Sequence, residues 1–129
     1  MRMYIKSVMV DDQDKALEFY TQTLGFQLKH DIPLGEFRWL TVVSPDEPDG
    51  VELGLEPNHH SAAQSFQTAL MKDGIPYTAF SVENIKAEVE RLTAAGVEFT
   101  QSPIKAGGAT MAIFNDTCGN LIQLIELDT

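Results

Sequence analysis

Apolar residues recur along this chain with two periods, near 2 and near 3.6, and the two patterns alternate in the same order twice. Residues 3 to 10 read as a strand, and Asp11 or Asp12 then offers an N-cap oxygen to a helix over residues 13 to 24. Ala16, Phe19, Tyr20 and Thr23 lie on one stripe of that helix, and Gly25 ends it. Strands are predicted near 26–31, 36–43 and 50–56, separated by Pro33, Gly35 and the turn from Pro45 to Gly50. The series repeats as a strand over 76–82, an Asn84 cap, a helix with an Ile85, Val89 and Leu92 stripe ending at Gly96, and strands near 97–102, 109–115 and 120–127. Each half is therefore a β-α-β-β-β unit. Residues 57–75 join them, with a helix-like stretch from Ala62 to Lys72 whose apolar positions are Phe66, Ala69 and Leu70.

The repeat is visible residue by residue. Val10-Asp11-Asp12 falls on Val82-Glu83-Asn84 at a shift of 72, and Val51-Glu52-Leu53 on Ile122-Gln123-Leu124 at a shift of 71, a one-residue slip absorbed in a turn. Units of this kind leave an apolar face that pairing covers, so the space between the halves is the expected place for function. The organisation read from the chain is one domain over residues 1–129, with module one at 1–56, a connector at 57–75 and module two at 76–129.

Composition narrows the classes of partner. With a formal charge of −10 and no clustered Lys or Arg, the chain lacks the surface that neutralises phosphates, so nucleic acid is excluded as a partner, while a cationic ligand is favoured electrostatically. No apolar run is long enough for a membrane span, and no basic start precedes an apolar segment and cleavage site. The single Cys118 forms no internal disulfide, which fits a reducing, cytoplasmic setting, and no cysteine spacing of the metal-binding type occurs.

Ala16-Leu17-Glu18-Phe19-Tyr20 followed by Leu24-Gly25-Phe26, and Asn115-Asp116-Thr117-Cys118-Gly119-Asn120 followed by Leu121-Ile122-Gln123-Leu124, resemble the helix exit and the terminal turn and last strand of vicinal oxygen chelate proteins. That superfamily contains glyoxalase I, extradiol dioxygenases and bleomycin-resistance proteins. The resemblance spans the chain and implies an α+β fold, two βαβββ modules in tandem whose curved mixed sheets surround a cleft. It also implies a homodimer, since one chain's modules still leave sheet surface to cover.

Carried over by the same resemblance, the four positions of the glyoxalase-like metal site fall on Ile5, Glu52, Tyr77 and Gln123. The repeat agrees, pairing Ile5 with Tyr77 and Glu52 with Gln123, and strand alternation puts Glu52 and Gln123 opposite in facing to Val51, Leu53, Ile122 and Leu124. The family uses His or Glu at these positions, and only Glu52 keeps that pattern. An aliphatic, a phenol and an amide beside one carboxylate do not make a catalytic site for a divalent metal, so the expectation is no cofactor and no metal ligands.

Glu52 is then the residue expected to carry chemistry, accepting from Tyr77, receiving a cationic ligand or acting as a general base. Trp39, Phe37, Met9, Met111 and Tyr77 are candidates to line a pocket for a flat or apolar ligand, with Ile5, Glu52, Tyr77, Gln123, Trp39 and Met111 as the ligand-binding set. Arg38 and Trp39 cannot both face that pocket without a bulge; if Arg38 does, it pairs with Glu52 or clamps an anion. His30, His59 and His60 read as solvated strand-end or loop side chains, His59 and His60 alternatively as rim residues, and Cys118 as incidental. Three functions follow: a metal-independent small-molecule binder, with a cationic or aromatic ligand; an enzyme, a divergent glyoxalase-type lyase or dioxygenase, or a metal-free one with Glu52 as base; or an interaction subunit with a vestigial cleft.

Overall fold

The structure is a computed structural model that describes residues 1–128. Its elements run β1 (Ile5–Val10), α1 (Gln13–Glu18), β2 (Gln27–Leu34), β3 (Phe37–Val43), β4 (Glu52–Pro57), α2 (Ser61–Asp73), β5 (Thr78–Ser81), α3 (Ile85–Ala94), β6 (Phe99–Ala106), β7 (Ala109–Asn115) and β8 (Leu121–Leu127). Two four-stranded mixed sheets result, ordered β1-β4-β3-β2 and β5-β8-β7-β6, each with one parallel pair at the β1-β4 or β5-β8 edge. The chain divides into two compact units at residue 65, within α2. The β-α-β-β-β order of each half is as the periodicities predict, and the α+β class with tandem modules is as the resemblance implies.

The first helix is capped by Asp12, whose side chain accepts from the Lys15 amide. Asn84 does the same for α3 through Ala87. Both helices then stop at a glycine in the left-handed region, Gly25 at φ +94° and Gly96 at φ +92°, where a β-carbon would be strained. One expectation changes here: α1 does not run as a regular α-helix to residue 24, because Phe19–Thr23 form a π turn. Within the first unit, Ala16 and Tyr20 pack with Val8, Val10, Leu40, Val42, Leu53 and Leu55, all buried. Within the second, Ile85 and Leu92 of α3 join buried Ala112, Phe114, Ile122 and Leu124. Burial of each large apolar side chain in such a layer contributes about 1.5–3 kcal/mol.

The edge strands β2 and β6 run further than the expected 26–31 and 97–102. Pro33 lies inside β2 and Pro103 inside β6, each on the sheet's outer edge, where a missing amide costs no ladder bond. Both strands also carry a register break, at Leu28/His30 and at Phe99/Gln101, and β6 carries a second between Gln101 and Ile104 that β2 lacks.

The parallel edge strands depart from the repeat. Ile5 is the register partner of Glu52. In the second unit, Ala79 partners Gln123, and Tyr77 lies before β5 with its amide donating to the Leu121 carbonyl. The two strands have slid by two residues against their caps, so Tyr77 is not the structural counterpart of Ile5. The connector also differs from expectation: Phe66 of α2 is 50% exposed, and the buried residue on that helix is Gln67.

Candidate functional site

Strand register defines one face of the first sheet. Partners His30/Thr41, Ile32/Trp39, Leu34/Phe37, Thr41/Gly54 and Ile5/Glu52 share the side turned away from α1, because register partners point the same way in a pleated sheet. Leu40, Val42, Leu53 and Leu55 alternate to the helix side and form the core there. On the face away from α1 lies a pocket of about 280 Å³, walled by Ile5, Leu34, Phe37, Trp39, Thr41 and Glu56. Gly54 forms part of its floor, and a β-carbon there would approach Ile5 Cδ1 to 3.1 Å, so the missing side chain leaves the room that Ile5 and the pocket occupy.

Trp39 therefore faces the pocket, and Arg38 sends its guanidinium to the other side. Arg38 binds Asp31 as a fork, Nε to Oδ1 and Nη2 to Oδ2 at 2.9 Å each, and Nη1 donates to Asp14 Oδ1 at the start of α1. The guanidinium hydrogen-bonded to Asp31 holds that carboxyl below its ordinary range, and the two carboxylates raise the Arg38 pKa further above its usual value. Arg38 is thus held by Asp31 and Asp14 and does not pair with Glu52, although part of the residue belongs to the pocket's lining. Gln13 braces the strand from beneath, its side-chain amide donating to the Arg38 and Leu55 carbonyls while its oxygen accepts from the Arg38 amide.

Beside the pocket floor lies an unusual polar cluster. Glu52 is only 6% exposed and Thr41 fully buried, and Glu52 Oε1 and Thr41 Oγ1 each lack a hydrogen-bond partner. His30 Nε2 stands 3.8 Å from Glu52 Oε1, beyond hydrogen-bond reach. Buried oxygens without partners are rare, because each forfeits its hydration with nothing in exchange. His30 is thus placed in mid-strand beside Glu52 rather than at a strand end. His60 caps α2, accepting from the Ala62 amide at Nδ1, and His59 packs its ring on Phe37 with centroids 5.5 Å apart, at the margin of the pocket.

The remaining residues of the expected ligand-binding set, Tyr77, Gln123 and Met111, lie in the second unit. Gln123 donates to Met111 Sδ at 3.1 Å, and the Tyr77 ring meets Phe66 edge-on at 5.5 Å. Ile5 and Trp39 thus line the first-sheet pocket with Glu52 beside it, while Gln123 and Met111 form a separate pair. The Asn115–Asn120 turn serves structure: Asp116 accepts from the amides of Cys118 and Asn120 and from the Asn120 side chain, and Gln67 donates to Asn120 Oδ1 at 2.9 Å. Cys118 is fully buried in that turn.

The donor chemistry does not fit the family's catalytic metal. Ile5 has no donor atom, Gln123 offers only a neutral amide oxygen, its Nε2 donating to Met111 Sδ, and among the described residues no three His, Cys, Asp or Glu side chains gather where they could hold an ion.

Comparison with known proteins places this geometry. The chain is 52% identical over 126 residues to YurT of Bacillus subtilis (strain 168), an uncharacterized protein, covering 98% of this chain and 99% of that one. It is 27% identical over 128 residues to the lactoylglutathione lyase of Salmonella typhimurium, covering 98% and 93% respectively. The crystal structure of UcmS2 superposes with a TM-score of 0.84 at 38% identity, covering 100% of this chain and 98% of that one. That of TnmS3, an antibiotic binding protein from Streptomyces sp. CB03234, does so with a TM-score of 0.79 at 27% identity, covering 98% and 96%. The sequence pattern of one family matches residues 4–124, and with the paired βαβββ sheets it shows that this chain belongs to the Glyoxalase/Bleomycin resistance protein/Dioxygenase superfamily.

Proposed function

We propose that this protein binds a small molecule with an apolar or aromatic body on the face of the first sheet away from α1, without a catalytic metal of the family type. The pocket of about 280 Å³ walled by Ile5, Leu34, Phe37 and Trp39 carries this reading, being of a size and lining suited to a small flat ligand. The likeness to an antibiotic binding protein supports it. We take the protein to act in the cytoplasm as a homodimer, readings supported by the single buried Cys118 and by the half-exposed Ile32 and Leu34 on an edge strand. Analytical ultracentrifugation tests the second.

An enzymatic reading stands behind it, favoured by the partnerless Glu52 Oε1, which as a carboxylate oxygen is free to take a proton from a bound substrate. The likeness to a lactoylglutathione lyase supports that reading. A thermal-shift screen with aromatic compounds, run on the natural protein and on Trp39→Ala, tests the binding function. A compound at one hundred times its Kd stabilises the native state by about 2.7 kcal/mol, enough to raise Tm by several degrees. The expected outcome is a rise with at least one compound that is lost in Trp39→Ala; a flat response to the whole panel contradicts the reading.

A further inference from the structure

We infer that the ligand of the first-sheet pocket carries a protonated amine on its aromatic body, anchored between Glu52 Oε1 and Thr41 Oγ1; this deepens the binding reading above and rests on it. The register sets the geometry. Thr41 partners Gly54 on β4, and Glu52 lies two residues before Gly54 on the same face, so the two side chains are diagonal neighbours across β3 and β4. Thr41 and Gly54 are part of the pocket's lining, and Glu52 stands two residues from Gly54 on the same strand and face, beside that lining.

Both oxygens are buried and lack a hydrogen-bond partner. A neutral hydroxyl has one proton to offer and would satisfy one of them. An ammonium group has at least two N–H donors and a charge, and so meets the carboxylate and the threonine oxygen together. Among the described residues Arg38 is held by Asp31 and Asp14, and Lys29 by the Pro48 carbonyl and Asp49; His30 Nε2, at 3.8 Å, lies within ion-pair range of Glu52 Oε1 when its imidazole is protonated but does not hydrogen-bond to it, so Oε1 keeps room for a donor. A second carboxylate, Glu56, lines the pocket and adds to the negative field. Trp39 and Phe37, on the same face, offer aromatic surface to a cation as well as to a flat ring.

The test uses three probes with one aromatic body: 2-naphthylmethylammonium, 2-naphthylmethanol and 2-naphthoate. Trp39 is the only tryptophan and walls the pocket, so its fluorescence reports binding directly. The ammonium is expected to bind about tenfold or more tightly than the alcohol, as one charge-assisted hydrogen bond implies, and the carboxylate more weakly than both. Glu52→Gln should bring the ammonium to the alcohol's affinity and leave the alcohol unchanged. Thr41→Val should weaken the ammonium about threefold or more, which keeps the proposal testable if Glu52→Gln does not fold.

The preference should persist in about 0.5 M salt, where the field of the net charge is screened within a few ångströms. Equal affinity for ammonium and alcohol, an unchanged preference in Glu52→Gln, or a preference abolished by salt would each overturn the anchor while leaving the pocket in place. No Trp39 response to any probe would overturn the anchor and the binding reading together.

Discussion

Asp31 and Arg38 cross from β2 to β3 on the helix side of the sheet and fix the strand that carries Trp39. Because Arg38 lowers the Asp31 pKa in the folded state, the pair adds stability that is present above the unfolded carboxyl's range and fades as pH falls through the lowered value. The pair is partly exposed, so its contribution is small. Urea unfolding of Asp31→Asn should show lower stability than the natural protein at pH 7, with the gap closing as pH drops below about 4. A gap that widens on acidification would show that the ion pair is not its source.

Residue by residue, the sequence exposed those positions that keep strict alternation. Glu52, Ile5 and Trp39 share one face because β3 and β4 alternate regularly up to their turns. His30 read as a solvated strand-end side chain because the break between Leu28 and His30, which inserts Lys29 as an extra residue and turns His30 to the face of Thr41 while Leu28 stays on the face of Val42, is invisible in the sequence. Thr41 was illegible for another reason: a threonine in a strand interior is ordinary, and its lack of a partner is visible only in three dimensions.

Among the elements, α2 shows what a pattern of apolar residues alone misses. Its apolar Phe66 is half exposed, while Gln67 is 5% exposed and bonds to Asn120 Oδ1, with the Cys118 carbonyl at 3.4 Å. A polar residue anchoring a helix to a turn leaves no mark in an apolar periodicity. Gln67→Ala leaves buried acceptors without their donor and should destabilise the protein by about 1–3 kcal/mol in urea unfolding; a change within 0.5 kcal/mol, the range of ordinary surface substitutions, would mean that the turn holds without it.

Caps and helix stops were legible because Asp12, Asn84, Gly25 and Gly96 each meet a local backbone need. The two-residue slide of β5 against β1 was not, since parallel pairing joins strands far apart in the chain and nothing near Tyr77 specifies its partner.

At the scale of the whole molecule, duplication gave two sheets of the same order whose faces have diverged. The first carries Glu52, Thr41, His30 and the pocket; the corresponding stretch of the second carries Gln123 bonded to Met111. The fold was legible because the period of each segment and the repeat itself point to one architecture, and family membership follows from the same signals. Chemistry was legible only as a subtraction, from the resemblance, which puts Ile5, Tyr77 and Gln123 where the family's pattern has His or Glu. Which oxygens lack partners depended on register and burial.

The proposed binding of a ligand on the first sheet needs no metal. Titration of the purified protein with 2-naphthylmethylammonium, followed by Trp39 fluorescence, should give the same Kd after exhaustive chelation with EDTA as with added Zn²⁺ or Ni²⁺. Binding that disappears on chelation and returns with the metal would contradict it.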